Sequence, residues 1–290
     1  MFVTDYHGDD YALSPGNSNR MLELIDSGKM DSISIIPNMG CFEECMAMLR
    51  DRWPQWEKKP LISVHINIID GLKLTALPND NVFKNSWAGL FAASLCPGQK
   101  RRQLKEELKD EIKAQILSVQ NALPQELPLR MDSHVHTHMI PLVFDAMMQA
   151  TKELGLDNRL TFIRNSREPL FVFIKDRKLR PTFPLVNIIK NIILNILAVR
   201  VGRKMKKAGL PSTMLWGLIM SGNMDGERVK KLSSPVCKYA AEKDSYLEIL
   251  CHPGIVPESE IRPEYGPDDL SFVTSPNRNV EYDMLATRTV

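Results

Sequence analysis

A chain of 290 residues, 43% hydrophobic and 25% charged, carries enough apolar surface for a large core, which excludes disorder over most of its length. Its 37 lysines and arginines stand against 35 acids, and a net charge of +2 offers no general attraction for nucleic acid or an anionic membrane. The 5 cysteines are odd in number and form no CxxC pair, which argues against a disulfide framework or a cysteine zinc site and fits a reducing compartment.

The opening MFVTDYHGDD has no basic segment followed by a long apolar core, so no secretory signal is expected and a cytoplasmic location follows. FVTDY predicts a strand, and NSNRMLELIDSG a helix that stops at Gly28. ISIIP, from Ile33 to Pro37, predicts a second strand and the segment from Phe42 to Arg52 a helix, which together make a βαβ unit. PLISVHINI, from Pro60 to Ile68, is a third strand, and Asp70 to Gly98 has no clear period and reads as a long, functional loop.

KRRQLKEELKDEIKAQIL places Leu104, Leu108, Ile112 and Ile116 four apart, an amphipathic helix whose charge run is its solvated surface. After LPLRMDSH comes a helix from about Pro141 to Leu154, then LTFIR as a strand. Lys175 to Met224 reads as a helical elaboration, YLEILCHPG returns to strand character, and the tail is Pro-rich and loop-dominated.

Within the elaboration, PLVNIIKNIILNILAV from Pro184 to Val199 raises the membrane question. Asn187, Asn191 and Asn195 recur every four residues with Lys190 beside them, and this polar stripe argues for a packed helix. A spanning helix needs about 20 mainly apolar residues, and this run has 16 before Arg200. The expectation is no membrane and no nucleic acid.

Strands separated by helices imply a mainly parallel sheet with helices outside it. An α/β fold follows: a distorted (β/α) barrel, one domain over residues 1–290, with a helical insertion at about 175–224.

In such a fold the C-terminal strand ends share one face, where sites assemble. Asp9 and Asp10, His65, His134, Arg164 and His252 all fall at or just beyond predicted strand ends. DSHVHTHM sets three histidines at alternate positions, and an extended chain would put Asp132, His134, His136 and His138 on one side as a polar ledge.

Imidazole and carboxylate suit a zinc-like divalent ion with three protein ligands and an open position, and Asp10, His65 and His134 would supply the three. Of two neighbouring aspartates, one would bind the ion while the other accepts a proton. A helix cap or Asx-turn is the plainer role for such a pair, as a hydrogen-bonded core position is for a lone histidine.

HGDDYALSPGNSNRMLELIDSG, SVHINIIDG, DEIKAQI, DSHVHTHMIPLVFDAM, IRNSREP, SGNM and EILCHPG occur in this order along nearly the whole chain. With these motifs the sequence resembles the YdjC-like carbohydrate deacetylases, the family that includes chitooligosaccharide deacetylase. The resemblance implies a distorted barrel, one divalent metal (magnesium or zinc) and hydrolysis of the acetamide on an N-acetylated amino sugar or oligosaccharide.

It carries the metal ligands onto Asp10, His65 and His134, the base onto Asp9 and the acid onto His252. Arg164 would contact substrate or orient a carboxylate; His136, His138 and Asn67 would line the sugar cleft or support the ligands. A homo-oligomer is also compatible. The first motif departs from the family's usual NADDFG at His7, Gly8, Tyr11 and Ala12, and the stretch from Lys175 to Lys207 is longer and more apolar than the family pattern.

The alternatives are another barrel metallohydrolase, an amidohydrolase or phosphoesterase, and an inactive carbohydrate-binding protein that keeps the site. No glycine-rich phosphate loop accompanies the histidines, which weighs against phosphate.

Overall fold

The computed structural model describes residues 3–75 and 85–289. Among the described residues seven strands alternate with helices: β1 Thr4–Tyr11, β2 Ser32–Ile35, β3 Leu61–Ile66, β4 Leu129–Ser133, β5 Leu160–Ile163, β6 Thr213–Trp216 and β7 Tyr246–Cys251. All pair in parallel in the order β5-β4-β3-β2-β1-β7-β6. The sheet curls until its two edges meet beyond β5: Leu215 N–H donates to Arg167 O at 2.9 Å, and Thr213 Oγ1 donates to Ile163 O at 3.1 Å. This is the distorted α/β barrel that the alternation of elements predicts.

The helices are α1 Pro15–Asp26, α2 Phe42–Arg52, α3 Trp87–Leu95, α4 Gln99–Ala122, α5 Pro141–Glu153, α6 Leu170–Ile174, α7 Leu185–Lys207, α8 Gly226–Glu242, α9 Pro267–Val273 and α10 Asn277–Thr287. Local chemistry sets their starts. Ser14 Oγ accepts the Asn17 N–H at 3.2 Å with Pro15 at the first helical position of α1, and Asp225 caps α8 through the Arg228 N–H at 2.9 Å. Gly28, at φ +68°, takes the left-handed turn that ends α1.

The strands have two unlike faces. Ile33, Ile35, Val64, Ile66, Met131, Leu247 and Ile249 are buried apolar residues of the hydrophobic core, where the barrel wall meets the helices. The alternate positions, Asp5, His7 and Asp9 of β1, Ser32 and Ser34 of β2, Ser63 and His65 of β3, Arg130 and Asp132 of β4 and Glu248 of β7, are buried too, and most are bonded to one another across the lumen. An aliphatic filling is the usual content of such a barrel; here it is a polar network.

Several expectations change. The expected loop from Asp70 to Gly98 contains α3, and residues 76–84 of it lie outside the described residues. The segment 175–224 is not helical throughout, because its Thr213–Trp216 is the edge strand β6. The tail forms α9 and α10 rather than loops alone.

The charged face of α4 is only partly solvated. Glu111 and Gln115 turn inward, Glu111 accepting the Leu74 and Thr75 N–H groups at 3.2 and 3.1 Å and Gln115 Nε2 donating to Asn67 O at 2.6 Å. The helix thereby ties down the segment after β3.

Candidate active site

Adjacent residues of a regular strand point to opposite faces, yet Asp9 and Asp10 both reach the site. The β1–β2 register shifts between Gly8 and Tyr11, and Asp10 sits at φ +71°. This bulge re-aims Asp10 toward the C-terminal mouth of the barrel while Asp9 keeps its inward direction. Aspartate tolerates the left-handed conformation better than most residues.

Asp10 lies within reach of two imidazoles. Its Oδ1 is 3.2 Å from His134 Nδ1 and 3.5 Å from His65 Nε2, and ligand atoms of Asp10, His65 and His134 all lie within 4.8 Å of one another. Two tetrahedral ligands each about 2.1 Å from a zinc-like ion stand about 3.4 Å apart, so the donor set fits one small divalent cation. His65 Nδ1 donates to Asp132 Oδ1 at 2.6 Å, which turns Nε2 toward Asp10. A carboxylate behind a histidine is the usual support of a metal-ligating imidazole.

Asp9 occupies a second cluster. Arg164, fully buried, donates to both its oxygens at 2.8 and 2.7 Å, also bonds Glu248, and lies 3.1 Å from Asp132. His7, Asp9, Asp132 and Glu248 crowd closely enough to resemble a cation site, and the guanidinium is the cation that balances three of them. Burial opposes ionisation of Asp9, but Arg164, His65 and His7 overcome it and hold the carboxyl well below its usual range.

The bonding of His7 assigns its charge. Ser32 donates its proton to Asp5 at 2.6 Å and Ser34 donates to Asp132, so each serine oxygen accepts from a His7 nitrogen, at 2.5 and 2.6 Å. Both ring nitrogens then carry protons. Burial works against this, while Glu248 and Asp9 raise the imidazole's pKa above its ordinary value.

The polar ledge of alternate residues is overturned. β4 stops at Ser133, and His134–Met139 coils into 3-10 turns with Val135 at φ 44° and His136 at φ 57°. Ser133 Oγ accepts the His138 N–H at 2.8 Å, a side-chain bond that competes with continuing the strand. The former ledge therefore divides: His134 goes to the cluster, and Asp132 sits behind His65.

His138 is walled in. Its Nε2–H donates to Arg164 O at 2.9 Å and its Nδ1 accepts from Ser133 Oγ at 2.6 Å, which fixes one neutral tautomer, and burial lowers its pKa to about 4. His136, half-buried, has its Nδ1 3.0 Å from Ser166 Oγ, and burial with Arg164 nearby keeps the ring neutral. Asn67 uses its side-chain oxygen within its own turn, accepting Ile69 and Asp70 N–H groups at 3.3 and 3.1 Å.

His252 follows β7 directly after Cys251, which pairs with Gly8 of β1, so it stands beside the two aspartates. Its backbone N–H donates to Glu281 Oε2 at 2.5 Å, its Nδ1 lies 3.5 Å from the same oxygen, and its ring meets Phe272 edge-on at 5.0 Å.

Arg278 and Glu281, both on α10, and Glu248 on β7 escape the sequence reading. Arg278 Nη1 donates to Asp10 Oδ2 at 3.1 Å and its Nε to Gly254 O at 2.9 Å. Arg278 and Glu281 lie in the Pro-rich tail, whose local pattern reads as loop and hides the helix that carries them. Glu248, His7 and Asp132 had a signal: polar residues at alternate positions in strands that are otherwise apolar.

A family model described as YdjC-like protein matches residues 6–290. No curated protein matches the chain significantly. Among solved structures, one from Enterococcus faecalis V583, provisionally described as a cellobiose-phosphate cleavage protein, superimposes with a TM-score of 0.63 at 17% identity and covers 99% of this chain and 91% of that one. At that identity the likeness is one of fold.

Proposed function

The chain belongs to the YdjC-like family, which is related to the carbohydrate deacetylases, and on that premise we propose that it is a metal-dependent hydrolase removing the acetyl group from an N-acetylated amino sugar or a short oligosaccharide of it. The observation that carries this reading is the convergence of Asp10, His65 and His134 within 4.8 Å, with Asp9 in the adjoining cluster bound to Arg164. Asp10, His65 and His134 hold one divalent ion, and two imidazoles with one carboxylate suit zinc better than magnesium. When bound, such an ion lowers the pKa of a water and polarises the acetamide carbonyl.

The protein's own groups supply the proton transfers. Asp9 is ionised, and a carboxylate has about four lone-pair directions, so one remains to accept the attacking water's proton while Arg164 holds the group in place. His252, held near Glu281 of α10 at the end of the neighbouring strand β7, delivers a proton to the departing amine. Glu248 and Asp132 share the charge of Arg164 and so limit its hold on Asp9.

Acetate release from a panel of N-acetylated amino sugars, with metal content measured on the same protein, tests the reading. Asp9→Asn should lower turnover by about 10²–10⁴ with metal content unchanged, and His134→Ala should lose the ion. A metal-loaded wild type that binds these sugars and releases no acetate overturns the hydrolase reading in favour of a binding protein.

A further inference from the structure

The asparagine stripe of α7 faces inward, as a packed helix requires, but what it leaves outside is apolar. Asn191 Nδ2 donates to Glu168 Oε2 at 2.7 Å and Asn195 Nδ2 to Glu168 O at 2.8 Å, with Leu194, Leu197, Val201 and Met205 buried alongside. On the opposite side Leu185, Ile189, Ile192, Ile196 and Val199 follow one another at steps of four and three, a single stripe along the helix. With Val186 and Ile193 beside them these residues are 37 to 71% exposed. An apolar strip of this length on a free surface marks an interaction site.

The charge around the strip identifies its occupant. Between residues 170 and 207 the chain carries ten lysines and arginines and one acid, Asp176, although the whole protein is nearly neutral at +2. The bases gather at both ends of the strip: Arg177, Lys178 and Arg180 before α7, and Arg203, Lys206 and Lys207 at its close, all exposed. Phe171 and Ile174 of the adjoining α6 add exposed apolar surface.

We infer that the outer face of α7 docks flat on an anionic phospholipid bilayer, its isoleucines entering the headgroup boundary while the flanking bases meet lipid phosphates. A second copy of this chain fits poorly. Paired parallel or antiparallel, two such strips bring a basic end against a basic end, and like charges oppose the contact. A crossing helix fits no better, since Asn191 is fully buried and the inner face is bonded to the barrel.

The 16-residue apolar run lies within a helix of 23 residues, which by length and composition alone could cross a membrane. The bonds of Asn191 and Asn195 to Glu168 hold its inner face to the barrel, so it is the outer face that is left to lie on a surface. The docking is independent of any catalytic assignment, and its test involves no turnover.

Sedimentation with vesicles of phosphatidylcholine containing about 30 mol% phosphatidylserine, against phosphatidylcholine alone, reads it directly. The wild type should sediment with the anionic vesicles, less with the neutral ones, and less in about 0.5 M salt. Ile192→Asp with Ile196→Asp should weaken the partition at least about tenfold, and Arg177→Glu with Lys178→Glu and Arg203→Glu should do the same while removing the dependence on anionic lipid. Both positions of the aspartate variant are exposed, so its melting temperature should match the wild type. Wild type that stays in the supernatant, or variants that sediment as it does, overturn the proposal. So does light scattering that finds a wild-type dimer, a monomeric Ile192→Asp, Ile196→Asp variant and no vesicle binding, since the strip is then a contact between copies.

Discussion

Asp132 touches the candidate ion's ligands at one remove, through a 2.6 Å bond to His65 Nδ1. Burial disfavours its charge, but Arg164 and His65 pull its pKa down to about 2, so it accepts throughout the neutral range. Asp132→Asn keeps the shape and removes the charge behind the imidazole; metal affinity should fall about 10–100-fold, measured by competition with a chelating dye. An unchanged affinity would show that His65 is oriented by other contacts. The sequence names Asp10, His65 and His134 as a set because strand ends share a face, but the bulge that lets neighbouring aspartates share a site depends on pairing between β1 and β2.

Helix α7 is joined to the barrel by Glu168. This carboxylate accepts the N–H groups of Gly217, Leu218 and Ile219 at 2.7, 3.0 and 2.9 Å, and the amide of Asn191 on the helix side. Asn191→Leu would leave a buried acceptor one donor short and should destabilise the protein by about 1–3 kcal/mol, read as a lower denaturation midpoint. Burial pushes the Glu168 carboxyl up to about 7 against those donors. A carboxyl raised above its unfolded value near 4.5 contributes fully below that pH, and its contribution is lost as pH climbs through 7.

Wild type should therefore lose about 3 kcal/mol relative to Glu168→Gln between about pH 4.5 and 7, measured by denaturant unfolding of both proteins. A constant difference across that range would contradict the shift. The asparagine period in the sequence identified the packed side of α7, but no period tells which partner fills the other side.

Across the whole molecule, the barrel encloses charge. Asp5, Asp9, Asp10, Asp132 and Glu248 face Arg130, Arg164 and Arg278 within the described interior, with His7 doubly protonated among them. Buried ion pairs of this kind contribute little net stability when complete and cost about 3–5 kcal/mol when one partner is removed. A cation bound at Asp10, His65 and His134 adds to the folded state alone. Saturation at about a thousand times its dissociation constant adds about 4 kcal/mol. Chelation should lower the melting temperature by about 5–10 °C, and calorimetry should recover the loss when zinc is restored; a melting curve indifferent to chelator would exclude a bound ion from the folded state.

The alternation of strands and helices apart from β6, α3, α9 and α10, the parallel sheet and the strand-end positions of the candidate ligands were legible in the chain, because periodicity and turn residues are local and a parallel sheet gathers its strand ends by geometry. Four things awaited the tertiary structure: the bulge at Asp10, the breakup of DSHVHTHM into strand and turn, the arrival of Arg278 and Glu281 from α10, and the outward apolar face of α7. Each depends on contacts between residues far apart in sequence, and a linear pattern does not encode which distant groups will meet.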